Sequence, residues 1–225
     1  MAVTLGTYLS LLYAGLKRVV VRGRDGTTMV DMSKDVGTQL AIETLNLAWQ
    51  YVAASEMGLK GYYSDTLVEN QSEYVVPDEV LTVEVVRLLD GATLKREMVP
   101  GDMASVLGRD ETGEKTPGTP KACGFGLWKF EDSLEAQKCL KFSCPPNWGG
   151  EDCIEVYCTR LPQFISDVNK VPDLPAVLGQ AGLYHALFTL TGGTQHEKLR
   201  EQHLATYRRL GIGNCLLYTS PSPRD

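Results

Sequence analysis

The stretch RDETGEKTPGTPKACGFGLWKFEDSLEAQKCLKF, residues 109–142, decides how the middle of the chain is read. Its polar first part, rich in Gly and Pro, predicts a loop. The octamer CGFGLWKF that follows predicts a strand. Side chains alternate along a strand, so Phe125, Leu127 and Lys129 share one face, and Gly124, Gly126, Trp128 and Phe130 share the other. The glycines let helices approach one face, and the opposite face is left to offer a flat stacking surface. The last part, EDSLEAQKCLKF, carries a helix-start signal. Asp132 can cap with Glu135 three residues on, and Leu134, Ala136 and Leu140 supply an apolar side.

Upstream, Leu5, Leu9, Leu12 and Leu16 recur at helical spacing and predict a helix over residues 4–17. Two β-rich runs then flank Asp25-Gly26, a hairpin signal. A second helix is expected from residue 36 to the stop at Gly58, with Ser33 or Asp35 able to cap it. Its apolar positions are many. Val36, Leu40, Leu47 and Tyr51 make one stripe, and Ala41, Leu45, Ala48 and Val52 widen it, so the helix is expected to be central and mostly buried. Residues 58–78 read as a looser, tyrosine-rich boundary near Pro77. Residues 80–88 read as a strand, 92–98 as a short helix or a return strand, and 103–107 as another strand.

Downstream, the turn cluster PPNWGG at residues 145–150 precedes an alternating strand at 153–161. A proline-bearing connector leads to a helix at 176–190. Gly192-Gly193 breaks it, and a final helix starts at Thr194, which forms a capping box with Glu197, and ends near Gly211.

The chain of 225 residues has a formal net charge of -6, which argues against a protein that grips nucleic acid over its whole surface. No apolar run approaches the ~18 residues of a membrane span, and no export signal is evident. A cytoplasmic, reducing location is therefore expected, with no membrane partner. Residues 215–225, CLLYTSPSPRD, resemble the in-frame translation of a transposase sequencing adapter, so the natural chain is expected to run through residue 214 and beyond.

Apart from Cys215, five of the six cysteines remain, an odd number. Cys139, Cys144, Cys153 and Cys158 are spaced C-x4-C-x8-C-x4-C, the candidate metal set. A hairpin around residues 146–150 would pair Cys144 with Cys153 and Cys139 with Cys158. The five-residue spacing puts those pairs on opposite faces, so one tetrahedral zinc could not collect all four. Unlinked buried thiols are expected, zinc and disulfides are the alternatives, and no cofactor is called for. His196 and His203 lie about two helical turns apart, ~10 Å, and cannot readily share a metal. His185 lies in the apolar run LYHALF and reads as a core histidine. No phosphate loop or hydrolase signature occurs.

Gly124, Phe125, Gly126 and Phe130 match the third-strand octamer of RNA-recognition-motif domains, and residues 109–161 resemble those domains in their loop, strand and helix order. The octamer departs from the family at Cys123, which replaces a basic residue, at Leu127, which replaces a stacking aromatic, and at Trp128, which replaces an aliphatic. Residues 78–160 also carry 10 Lys and Arg against 15 Asp and Glu. The resemblance implies an α+β fold, a small mixed or antiparallel sheet of ferredoxin-like βαββαβ character, flanked by N-terminal and C-terminal helices. It also implies a non-enzymatic binding protein. Phe125 and Leu127 would face single-stranded RNA, with Lys121 and Lys129 on its phosphates; another protein is the alternative occupant of the sheet. The expected divisions are residues 1–77, 78–161, 162–214 and the tail 215–225. The reading from another class is a structural or assembly protein, viral origin included, in which the glycine-aromatic strand is core and the chain forms homo-oligomers.

Overall fold

A computed structural model describes residues 3–23, 26–107, 116–129 and 135–210. In chain order the elements are α1 (Leu5–Leu16), β1 (Val19–Gly23), β2 (Gly26–Val30), α2 (Thr38–Ser55), β3 (Leu59–Leu67), β4 (Glu73–Val75) and β5 (Val80–Asp90). They continue with β6 (Thr93–Met98), α3 (Met103–Leu107), β7 (Cys123–Trp128), β8 (Gln137–Phe142), β9 (Gly150–Arg160), α4 (Ala176–Thr191) and α5 (Thr194–Leu210). The protein is thus mixed α+β. It divides into two compact units, one of residues 1–59 with 161–225 and the other of residues 60–160.

The first unit is helical apart from the β1–β2 hairpin, whose register pairs Val19 with Val30 and Gly23 with Gly26. The Thr4 side chain caps α1 by accepting from the Thr7 amide. The N-cap of α2 is Gly37, which has no side chain to cap with, so neither Ser33 nor Asp35 takes that place; Ser33 bonds Asp31 instead. α4 packs with α1, α2 and α5. Two glycines on α4 make this packing close. A Cβ on Gly179 would collide with the Tyr8 hydroxyl, and one on Gly182 with Cδ1 of Trp49. Trp49, 1% exposed, also donates its indole N–H to the Gly179 carbonyl at 3.2 Å. Buried Asn46 then ties in the connector that precedes α4. Its amide donates to the Ile165 carbonyl at 2.8 Å, and its oxygen accepts from the Ile165 N–H at 2.9 Å. α4 ends at Gly192, whose φ of 64° is the left-handed helix stop read from Gly192-Gly193.

The second unit consists of two antiparallel sheets, ordered β3-β9-β5-β6 and β4-β8-β7. One hydrophobic cluster joins them. Val86, Leu88, Ile154 and Val156 come from the first sheet, and Tyr74, Cys123, Leu140 and Phe142 from the second. The described elements do not give the ferredoxin-like βαββαβ order. Residues 92–98 are the return strand β6, and residues 103–107 are the short helix α3 rather than a strand. The helix read over residues 131–142 is corrected in its second half, which is strand β8. The reason is tertiary: β8 pairs with β4 on one side and β7 on the other, and it buries Leu140 and Phe142. Two edges of ladder hydrogen bonds outweigh a local capping signal. The capping residue Asp132, Phe130 and residues 215–225 lie outside the described residues. The tyrosine-rich residues before Pro77 are the strands β3 and β4 of these sheets.

The glycine notch on α4 yields a direct test. Gly182→Ala forces a methyl group into Trp49 and should destabilise the protein by about 1–3 kcal/mol, as overpacked cores do. Gly37→Ala, where a Cβ meets nothing within 4 Å, should cost less, at most about 1 kcal/mol from the weaker N-cap of α2. Thermal or denaturant melts of both variants check this; equal effects would contradict the close packing.

Candidate functional site

β7 is the strand on which the RNA-site candidates lie, and its two faces have different fates. On the glycine face α3 comes close, as the alternation implied. A Cβ on Gly124 would lie 3.0 Å from Cγ2 of Val106 and 3.1 Å from Sδ of Met103, and one on Gly126 would lie 3.0 Å from Cγ of Met103. Trp128 lies on this face too, with the Lys141 ammonium 4.5 Å from its ring centroid. Lys141 also pairs with Glu73 at 3.0 Å.

On the opposite face Phe125 stands across from Leu140 in the ladder and is partly buried against the cluster that joins the two sheets. Its neighbour Leu127 is 69% exposed. Lys121 and Lys129 are exposed, one before the strand and one after it. Cys123 and Ala122 continue inward, with the Ala122 and Lys121 amides donating to the Ser143 hydroxyl. Beyond β7, the segment at Gly101 adds a short bridge: the Gly101 N–H donates to the Cys123 carbonyl at 2.9 Å, and the Phe125 N–H to the Gly101 carbonyl at 3.1 Å. The edge of this sheet is thereby partly occupied.

The cysteines are separated by the topology. β8 carries Cys139 and lies in the three-stranded sheet, whereas β9 carries Cys153 and Cys158 and lies in the four-stranded one. The hairpin that would pair them does not form. Burial pushes the Cys123 thiol up to about 12 and the Cys139 and Cys158 thiols up to about 11. They stay protonated at neutral pH, and a thiol must lose its proton to bind metal or attack a substrate. Among the described residues no group of three or more His, Cys, Asp or Glu is placed to hold a metal ion. No helix among them is long and apolar enough to cross a membrane.

The open face of the four-stranded sheet is charged but internally matched. Lys60 pairs with Glu84, which also accepts from Thr159 at 3.0 Å. Arg87 donates to Glu97 at 2.7 Å and lies over the Tyr157 ring at 4.9 Å. These cations are already engaged by neighbouring acids.

The largest departure from expectation is on α2. Ala41, Leu45, Ala48 and Val52 are buried, but Leu40 is 49%, Leu47 62% and Tyr51 55% exposed. Of the stripe read as core, Val36 is buried, while its other three members form a ridge of apolar side chains facing solvent. It spans roughly 16 Å at the helical rise. Its far end is held in place: Tyr51 stacks on His185 at 4.2 Å, and His185 Nδ1 accepts from Arg200 at 3.0 Å. Sequence reasoning missed the ridge because α2 is apolar nearly all round. Its single formal charge, Glu43, and the part-buried Thr44 lie between Leu40 and Leu47 and are the signs that this side meets water.

Burial lowers the affinity of the His196 and His185 imidazoles for a proton, and for His185 the Arg200 charge adds to the effect. Both are favoured neutral when folded and take up a proton more readily when unfolded. This contribution to stability is complete above the unfolded value of about 6.5 and is lost as pH falls. Acidification from about pH 7 to about pH 5 should lower the melting temperature. His196, whose Nδ1 has no hydrogen-bond partner among the described residues, should carry part of it. His196→Leu should flatten the melting profile over that range, and an unchanged slope would remove His196 as a cause.

No protein-family model matches the chain, and no curated protein matches it in sequence.

Proposed function

We propose that this is a non-enzymatic assembly protein that works by binding protein surfaces. The observation that carries this reading is the solvent-facing apolar ridge of α2, Leu40, Leu47 and Tyr51. Apolar side chains grouped in one exposed stripe favour burial against a partner, whereas single exposed ones are ordinary. The ridge is built on a helix whose opposite side is locked into the core by Trp49 and Asn46, so it is presented rigidly. A pre-ordered surface loses little entropy on association.

Single-stranded RNA on β7 is the second reading, supported by the exposure of Leu127, Lys121 and Lys129. Its weak point is Phe125. Base stacking is worth roughly 1–3 kcal/mol per base on an available aromatic, and Phe125 is partly occupied by the core. The local excess of acid also opposes phosphate.

Two measurements separate the readings. Sedimentation of the full chain over a concentration series should show association, and Leu47→Glu should remove it while leaving the circular dichroism spectrum unchanged. A wild type that stays monomeric throughout would overturn the assembly reading. Titration with single-stranded oligoribonucleotides should give no saturable binding at physiological salt. Saturable binding that Phe125→Ala abolishes would favour RNA instead.

A further inference from the structure

α1 and α5 both flank α4, and a depression of about 370 Å³ lies over α4 between them. Its floor is closed. Leu183 and Leu187 are only 4% and 3% exposed, and a Cβ on Gly15 of α1 would press on Leu187. Its rim is polar. Arg18, just after α1, Gln180 of α4, and Gln195 and His196 of the first turn of α5 all line it. The rim, rather than the floor, decides what the depression can hold.

Three features of the rim point to one ligand chemistry. The first is His196. It is 8% exposed, and its Nδ1 has no hydrogen-bond partner among the described residues. Buried polar atoms are ordinarily bonded, and a bound ion is one of the usual reasons for an exception. The second is the helix end. α5 starts at Thr194, and the first amides of a helix have no acceptor within it. Such an end attracts anions. The third is charge. Arg18 is the one fixed charge of the lining, it is exposed, and it enters no ion pair among the described residues. Glu197, the acid in the first turn of α5, is not part of the lining and pairs with Arg200 at 3.7 Å. No carboxylate of the lining therefore opposes an incoming anion.

We propose that this depression binds a small organic carboxylate. The carboxylate accepts from the Arg18 guanidinium and from the amides that open α5, and the His196 imidazole donates to it as a neutral ring. A short apolar body covers Leu11 and Ala14, the exposed apolar part of the α1 wall. Inorganic phosphate has no apolar part to place there. The volume suits a compact molecule, at the lower end of the ~300–1,000 Å³ of ligand pockets. The site shares no residue with the α2 ridge, so binding does not depend on assembly.

Titration of the isotope-labelled full chain with phenylacetate, followed through its amide resonances, tests this. The resonances of Arg18, Gln195 and His196 should shift together and saturate in the millimolar range, as a probe of so few atoms allows. Phenylacetamide, which has the same shape without the charge, and inorganic phosphate should each shift them far less. Arg18→Gln should weaken phenylacetate binding by about tenfold, the effect of losing a hydrogen bond to a charged group. His196→Phe keeps a ring, removes both nitrogens and should weaken binding by a similar factor. An equal response to phenylacetamide would overturn the anion site, and an equal response to phosphate would overturn the organic ligand. No saturable response to phenylacetate would overturn the proposal outright. Should His196→Phe fail to fold, Arg18→Gln, at an exposed position, decides alone: binding like wild type would remove the site.

Discussion

The first unit depends on how closely α2 can approach α4. Trp49 comes close enough to α4 for its indole N–H to reach the Gly179 carbonyl, and only glycine at position 182 leaves room for it. Asn46, one turn earlier, captures both backbone polar groups of Ile165. A buried asparagine bound in this way leaves no orphan donor or acceptor, and losing it would strand two. These contacts bridge more than a hundred residues of sequence. They also determine which side of α2 is left outside. With Ala41, Leu45, Ala48 and Trp49 committed inward, Leu40, Leu47 and Tyr51 have nowhere to go but the surface.

The second unit solves a different problem. Neither of its sheets closes a core by itself. Facing each other they share one, with Phe142 and Leu140 contributed from one side and Val86, Leu88 and Ile154 from the other. Tyr74 shows how the polar parts are satisfied. Its ring packs near Phe142 with centroids 5.4 Å apart, while its hydroxyl serves the Val68 and Gln71 backbone. Trp148 does the same at the other end, donating to the Leu89 carbonyl at 2.8 Å.

Much of the helical unit was legible because leucines at 3.6-residue spacing and glycine stops describe helices by purely local rules. α1, α4 and α5 are of this kind. The hidden parts were those determined by distant residues. β8 carried a convincing helix start but became a strand because both its edges found partners. α3 has only five residues, too few to show a period. The orientation of α2 was ambiguous because alanines and leucines surround it, and the choice is made by glycines some 130 residues later. At β7 the alternation was readable and the role of the glycines followed from it. The availability of Phe125 was not readable, since that depends on a second sheet packed over the same face.

The strands that bound the inserted unit are neighbours. β3 opens it, β9 closes it, and a Cβ on Gly61 would lie 2.6 Å from Nε of Arg160. The chain therefore leaves and returns at nearly one point. For the helical unit, joining Asn46 to Ile165 means closing a loop over a sequence separation of 119 residues if the insert is unfolded. Once the insert is folded, the effective loop shrinks to roughly 20 residues, and its closure entropy falls by roughly 1.5 kcal/mol. The β unit thus acts as a pre-tied knot in the thread: when it forms first, it lowers the entropic barrier to assembling the helices on either side of it.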